Sequence, residues 1–247
     1  MSLNVSFTQE HTPLFRIANL SLVAQSHTLR CDAKQAEKRF ADFDDLMSSV
    51  PTLELGDYFP EPFTKGLQPT YLEKPDEESV PVISTIAVQN LTIDKAACRY
   101  ISREAFEALP DDRKLKKGNI LLTVDGGTSI GKPCLFAFDS DYTVDSHVVI
   151  LRAAGIDPKV IVYLLASPLG QIQFQRAESG ASGQTAVTED DIRRFRFPRV
   201  SEKVMSTLRQ ELDHALDTFA QEMERLNTAR RKAWDSFNAA LVNTAET

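Results

Sequence analysis

Apolar and polar positions along this chain fall into three regimes. From Ala33 to Met47 the apolar residues Ala33, Ala36, Phe40, Phe43 and Met47 recur at three- and four-residue steps, which predicts a helix with Asp32 as N-cap and Pro51 as its end. Residues 51–200 are punctuated instead. Prolines at 51, 60, 62, 69, 75 and 81 break the first thirty residues into extended segments and loops. Short apolar runs then predict strands at 82–86, 119–124, 134–138 and 146–151, the last running apolar through 147–151 as an interior strand would. Two further runs, 14–17 and 20–23, fit strands in the leader. Helices are predicted over 102–109, capped by Ser102 and stopped by Pro110, and over 158–167, with Asp157 before a proline at its first position. A third covers 169–176, and Thr188 to Asp191 opens a helical turn before an extended Phe195 to Pro198.

Beyond Pro198 the pattern changes outright. No Gly or Pro occurs from Ser201 to Val242, so one helix of roughly forty residues, about 60 Å long, is predicted. Its stripe comprises Met205, Leu208, Leu212, Leu216, Phe219, Met223, Leu226, Ala233, Phe237 and Leu241, with Trp234 beside it. A single amphipathic helix of this length cannot bury its own stripe, which calls for a second long helix from another copy or another protein. The expected class is therefore α+β: a mixed-sheet domain with short helices, then one long coiled-coil-like helix. The expected division is a leader and helix over 1–50, a domain over 51–200 and a dimerisation or spacer helix over 201–247.

Candidate chemistry centres on the Gly-rich stretch after the 119–124 strand. Gly126, Gly131 and Lys132 have the spacing of a nucleotide-binding P-loop, but Pro133 stands where a Ser or Thr would hold Mg²⁺. The residues after it read as a strand, so no helix N-terminus is offered to a phosphate. A hairpin loop between two strands remains, either a plain turn or a surface for another phosphate. A second loop, Ser179 to Thr185, is likewise rich in glycine and hydroxyls.

Cys31, Cys98 and Cys134 are widely spaced, and His11, His27, His147 and His214 form no ligand pattern, which argues against disulfides and metal and for a reducing compartment. The N-terminus shows no signal-peptide pattern and no apolar run is long enough for a bilayer, so a cytoplasmic protein is expected. The net charge of −7 is concentrated in residues 31–80, which hold twelve acids against five bases; the remainder is balanced. Basic clusters occur there at Arg113, Lys114, Lys116 and Lys117, at Arg193, Arg194, Arg196 and Arg199, and at Arg225, Arg230, Arg231 and Lys232. They permit a DNA-facing side without demanding one.

Taken in order, Val80-Pro81-Val82-Ile83, Ile101-Ser102, Leu115 to Thr123, Gly127 to Lys132, Ser146 to Arg152, Tyr163 to Gln171, Ser179-Gly180 through Gln184-Thr185 and Ile192 to Arg199, then a long helix, resemble a target-recognition domain of the DNA-specificity subunits of type I restriction–modification systems. Thr52 to Asp57 with Thr64-Lys65-Gly66 is similar to that domain's opening, and Leu29 to Ala33 to a leader found in some members. Asn119 stands where the pattern usually has an acid. The resemblance spans residues 29 to about 235. It implies a half-subunit with one domain and one helix where full-length members carry two of each. A homodimer would then read a bipartite, palindromic site in double-stranded DNA and dock a methyltransferase subunit, and a restriction subunit with it.

On this reading the DNA-binding candidates are Lys65, Gln68 and Tyr71 in the opening loop, Thr128, Ser129 and Lys132 in the first Gly-rich loop, and Ser182, Gln184 and Thr185 in the second. Each taken alone fits a solvated loop side chain equally well. The partner-helix candidates are Leu208, Leu212, Leu216, Phe219, Met223, Leu226, Trp234 and Phe237. No cofactor and no membrane are expected. No Pro-Pro pair and no Glu-x-Lys occurs, so catalysis is not expected of this chain. The rival class is a helical scaffold that does not bind DNA.

Overall fold

The computed structural model describes residues 33–126, 129–178 and 186–245. The strands expected at 14–17 and 20–23, and the N-cap at Asp32, lie outside them. The chain divides into two units, Met1–Arg199 and Val200–Thr247. The fold is mixed α+β: small sheets with short helices, then one long helix.

Among the described residues of the first unit, nine strands form three small sheets. The central sheet has the order β2-β8-β5-β6, built from β2 (Thr64–Lys65), β8 (Val148–Leu151), β5 (Ile120–Thr123) and β6 (Pro133–Leu135). All its pairings are antiparallel, and β8 is an interior strand, as its apolar run predicts. Alternation across the pleat gives the two faces different cores. Ile120, Leu122, Val149 and Leu151 pack with Ile161, Leu165, Phe174, Ile192 and Phe197. Leu121, Val148 and Ile150 face the other way, onto Ile83, Phe136, Tyr142 and Val144. Both faces being covered explains why these strands read as unbroken apolar runs.

The first face is covered by α3 (Pro158–Ala166) and α4 (Pro168–Ala177), capped by the Asp157 carboxylate and the Ser167 hydroxyl respectively. The second face meets β3 (Val80–Ile83), which pairs antiparallel with β4 (Arg99–Ile101) and parallel with β7 (Thr143–Val144). Helix α2 (Arg103–Glu107) is capped by Ser102, and α5 (Glu189–Arg193) by a reciprocal Thr188–Asp191 capping box. Strand β1 (Thr52–Glu54) pairs with β9 (Arg196–Pro198), and the Arg199 N–H donates to the Pro51 carbonyl at 2.7 Å. The two ends of residues 51–199 thus lie side by side. Helix α1 (Lys38–Ser49) seats Phe40, Phe43 and Met47 against Ile172 of α4, and Arg176 of α4 grips both Asp44 oxygens at 2.8 and 2.9 Å.

Three expectations need correction. The first helix does not run unbroken from residue 32: a 3-10 turn, Ala33–Ala36, precedes an α-helix that begins after an extended Glu37. The strand expected at 82–86 is Val80–Ile83, because the Ser84 carbonyl accepts from Ala87 and Val88 and turns the chain there. The strand expected at 134–138 starts at Pro133 and ends at Leu135. Proline is tolerated there because β6 is the sheet's edge, where a missing N–H costs least.

The second unit is α6 (Glu202–Ala245), 44 residues or about 66 Å of helix. Leu208, Phe219, Met223, Leu226, Trp234 and Phe237 are exposed along it, Leu212 and Leu216 half-buried. The Trp234 and Phe237 rings stack with centroids 5.6 Å apart.

Candidate nucleic-acid interface

Three segments of backbone meet at one end of the central sheet: the exit of β2, the exit of β5 and the turn between β7 and β8. Their meeting depends on Gly66. Its N–H donates to the Val148 carbonyl at 3.2 Å, and a Cβ at this position would lie 2.1 Å from the Asp145 carbonyl oxygen. Only glycine lets the chain cross the β7–β8 turn this closely.

The crossing brings side chains from all three segments together. Lys65 Nζ donates to Asp125 Oδ2 at 2.9 Å, and His147 Nδ1 hydrogen-bonds the other Asp125 oxygen. Alongside, the Ser146 hydroxyl donates to Gln68 Oε1 at 3.1 Å. Lys65 and His147 remain 54% and 50% exposed, whereas Asp125 beneath them is 20% exposed. Burial works against the charge on Asp125, but the hydrogen bonds and charges of Lys65 and His147 outweigh it and hold the carboxyl below its ordinary value. Asp145 behaves oppositely: burial dominates and raises its carboxyl, although Oδ1 accepts the His147 N–H at 2.9 Å.

The first Gly-rich loop is rooted at the same place. Buried Thr123, at the end of β5, fixes its returning limb: its hydroxyl donates to the Ser129 carbonyl and accepts the Lys132 N–H at 3.0 Å. Gly131 has φ +80 and lies directly on the Phe174 ring of α4, and its carbonyl accepts from Gln171 Nε2 at 2.8 Å. The second loop returns at Ala186, which pairs with Asp125, and the Val187 N–H donates to the Val124 carbonyl at 2.9 Å. Its departure follows α4, the helix that underlies Gly131. Both loops are therefore anchored around the exit of β5, a convergence that no local sequence spacing reveals.

The structure brings Lys65, Gln68, Ser129 and Lys132 onto these converging segments. Tyr71 has a different setting: the Arg99 guanidinium lies 3.4 Å above its ring, and the ring packs against Val80, Val82, Ile101 and Phe106. Burial, with Asp145 nearby, raises its phenol above the ordinary value, against the pull of Arg99. Thr128, Ser182, Gln184 and Thr185 lie outside the described residues.

Sequence reasoning missed Asp125, Asp145, Ser146 and the buried Thr123. Asp125 was legible as the residue between a strand and a Gly-Gly pair, but its partners come from positions 65 and 147. Members of the first two basic clusters are engaged within the unit. Arg193 donates to the Phe59 and Glu61 carbonyls at 2.7 Å each and pairs with Glu189 at 2.7 Å. Lys117 pairs with Asp139 at 2.7 Å, and Arg113 Nε donates to the Lys65 carbonyl at 3.2 Å. Asn119 serves as an acceptor: its Oδ1 takes the Lys116 N–H at 2.8 Å. Among the described residues no group of three or more His, Cys, Asp or Glu could hold a metal ion, and no helix is long and apolar enough to cross a membrane.

The sequence matches no protein-family model and no curated protein at a significant level. Its structure is similar to those of type I restriction–modification specificity subunits. One solved structure, from work on the complex assembly and conformational transition of the type I restriction–modification system, is 15% identical with TM-score 0.47 over 81% of this chain and 49% of its own. The HsdS subunit from Thermoanaerobacter tengcongensis is 14% identical with TM-score 0.47, covering 73% of this chain and 44% of that one. The S subunit from M. genitalium is 16% identical with TM-score 0.46, covering 86% and 50%. This chain thus spans about half the length of the solved chains it matches.

Proposed function

We propose that this chain recognises a sequence in double-stranded DNA as the specificity subunit of a type I restriction–modification system, without catalysis of its own and without a cofactor. The observation that carries the reading is the convergence at the β5 exit: two Gly-rich loops rooted beside Lys65, Gln68 and His147, on an otherwise well-buttressed unit. Loops held on a rigid scaffold with hydroxyls, amides and cations suit base edges and phosphates in a groove. The ordered series of short motifs described above points the same way.

On this reading residues 51–200 are the DNA-reading domain and residues 1–50 its leader and first helix. The contacts come from Lys65, Gln68, Tyr71, Thr128, Ser129, Lys132, Ser182, Gln184 and Thr185. Helix α6 joins two copies through Leu208, Leu212, Leu216, Phe219, Met223, Leu226, Trp234 and Phe237, and the pair directs methyltransferase and restriction subunits to a bipartite site in the cytoplasm.

The test is duplex binding measured across a salt series. A DNA reader gives a log–log slope of several units and retains a preference among sequences at about 0.2 M salt. A stable dimer with no duplex affinity at low salt contradicts the reading and favours the helical scaffold.

A further inference from the structure

The contact set proposed above omits the group with the best-defined orientation at the β5 exit. Asp125 engages Lys65 through one oxygen and His147 through the other. A carboxylate oxygen accepts, so the His147–Asp125 hydrogen bond places a proton on Nδ1. That fixes the tautomer, and Nε2 is left as the free edge of a half-exposed ring. Among the described residues Nε2 has no hydrogen-bond partner, and Lys65 Nζ has only Asp125.

We infer that His147 is a direct DNA contact and Asp125 the positioning residue that presents it, together with Lys65, to the duplex. The inference rests on the DNA-recognition reading and deepens it. Neutral His147 offers an Nε2 lone pair, which suits an exocyclic amine on a base edge. Protonated, it offers an N–H, which suits a phosphate or guanine N7 and O6. Imidazole is the side chain whose charge ordinarily changes between about pH 5 and 8. The titratable groups facing the ring are Lys65 from β2, Asp125 from the β5 exit and Asp145 from the β7–β8 turn, with Arg99 acting on it through Asp145.

Charge counting and positioning give opposite signs for one substitution. Asp125→Asn removes a negative charge from a DNA-facing surface, so charge counting alone predicts tighter binding. Positioning predicts weaker binding, because Lys65 and His147 lose their common anchor.

The experiment uses the full chain and a random-sequence duplex of about 30 base pairs, titrated by fluorescence anisotropy at about pH 6 and about pH 8 over a salt series. The wild type is expected to bind about tenfold tighter at the lower pH, with a salt slope steeper by about one, the signature of one added phosphate contact. His147→Gln, which keeps a hydrogen-bonding group but cannot titrate, is expected to remove that difference. Asp125→Asn is expected to weaken binding at both pH values and to flatten the profile, while lowering the melting temperature by only a few degrees.

A wild type that binds with a pH-independent constant overturns the inference and leaves the DNA reading standing. So does a His147→Gln profile identical to wild type, or tighter binding by Asp125→Asn. A wild type that binds no duplex at low salt overturns both.

Discussion

Helices α1 and α6 carry the same kind of apolar stripe and meet opposite fates. In α1 the stripe of Phe40, Phe43 and Met47 is closed by Ile172, and Phe40 and Phe43 are 1% and 3% exposed. In α6 Phe219 is 55% and Phe237 53% exposed, with Trp234 at 62%. Periodicity reports that a helix has a face to bury; it does not report where the covering surface comes from. A twelve-residue helix can be covered by one neighbour, as α1 is by α4. A helix of 44 residues with a stripe along most of its length needs a partner of comparable length.

The largest expected effect breaks the second half of that contrast. Placing glutamate at both Phe219 and Leu226 should weaken self-association at least a hundredfold, about 3 kcal/mol, by sedimentation equilibrium, while the first unit melts as before. Unchanged association would remove α6 from the interface.

Phe43→Ala should do the reverse. It opens a cavity under α1 at a cost of about 3–5 kcal/mol, seen in denaturant unfolding, with self-association unaltered. A smaller effect is expected at Gly131, where a side chain at φ +80 would press on the Phe174 ring. Gly131→Ala should cost about 1–3 kcal/mol and weaken duplex binding through the displaced loop root.

The smallest effects separate Asp125 from Asp145. The Asp125 carboxyl is held below its ordinary value, so its stabilisation is present at neutral pH and is lost as pH falls through the lowered value. The Asp145 carboxyl is raised, so its contribution is complete below the ordinary carboxylate range and is lost as pH rises through the raised value. At pH 7 Asp125→Asn should therefore destabilise by about 1 kcal/mol, and Asp145→Asn, whose amide oxygen can still accept the His147 N–H, should be neutral or stabilising. Chemical unfolding at about pH 3 and about pH 7 compares the two. The same sign for both substitutions would refute the assignment.

Where the chain's order is local, the sequence spelled it out. Ser102, Asp157 and Thr188 each cap the helix that their position announces, and the run from Val148 to Leu151 is interior because both of its faces are covered. Strand β7, two residues long, carries too little pattern to be read and exists because β3 offers it a parallel edge. The site was legible in parts. Lys65, Gln68, Ser129 and Lys132 were visible as loop chemistry, but the Asp125 anchor was not, since it joins positions 60 and 22 residues away. The P-loop spacing at Gly126 to Lys132 misleads for the same reason. Its lysine enters an edge strand, and the helix beneath Gly131 is α4, reached much later in the chain.

On the proposed function, a pair of these chains reads a divided DNA site. Selection of duplexes from a random pool by the full chain, followed by sequencing, tests it most directly. Enrichment of two half-sites in inverted orientation, separated by a fixed number of unread base pairs, is expected. A pool that stays random, or a single uninterrupted half-site with free flanks, would contradict it.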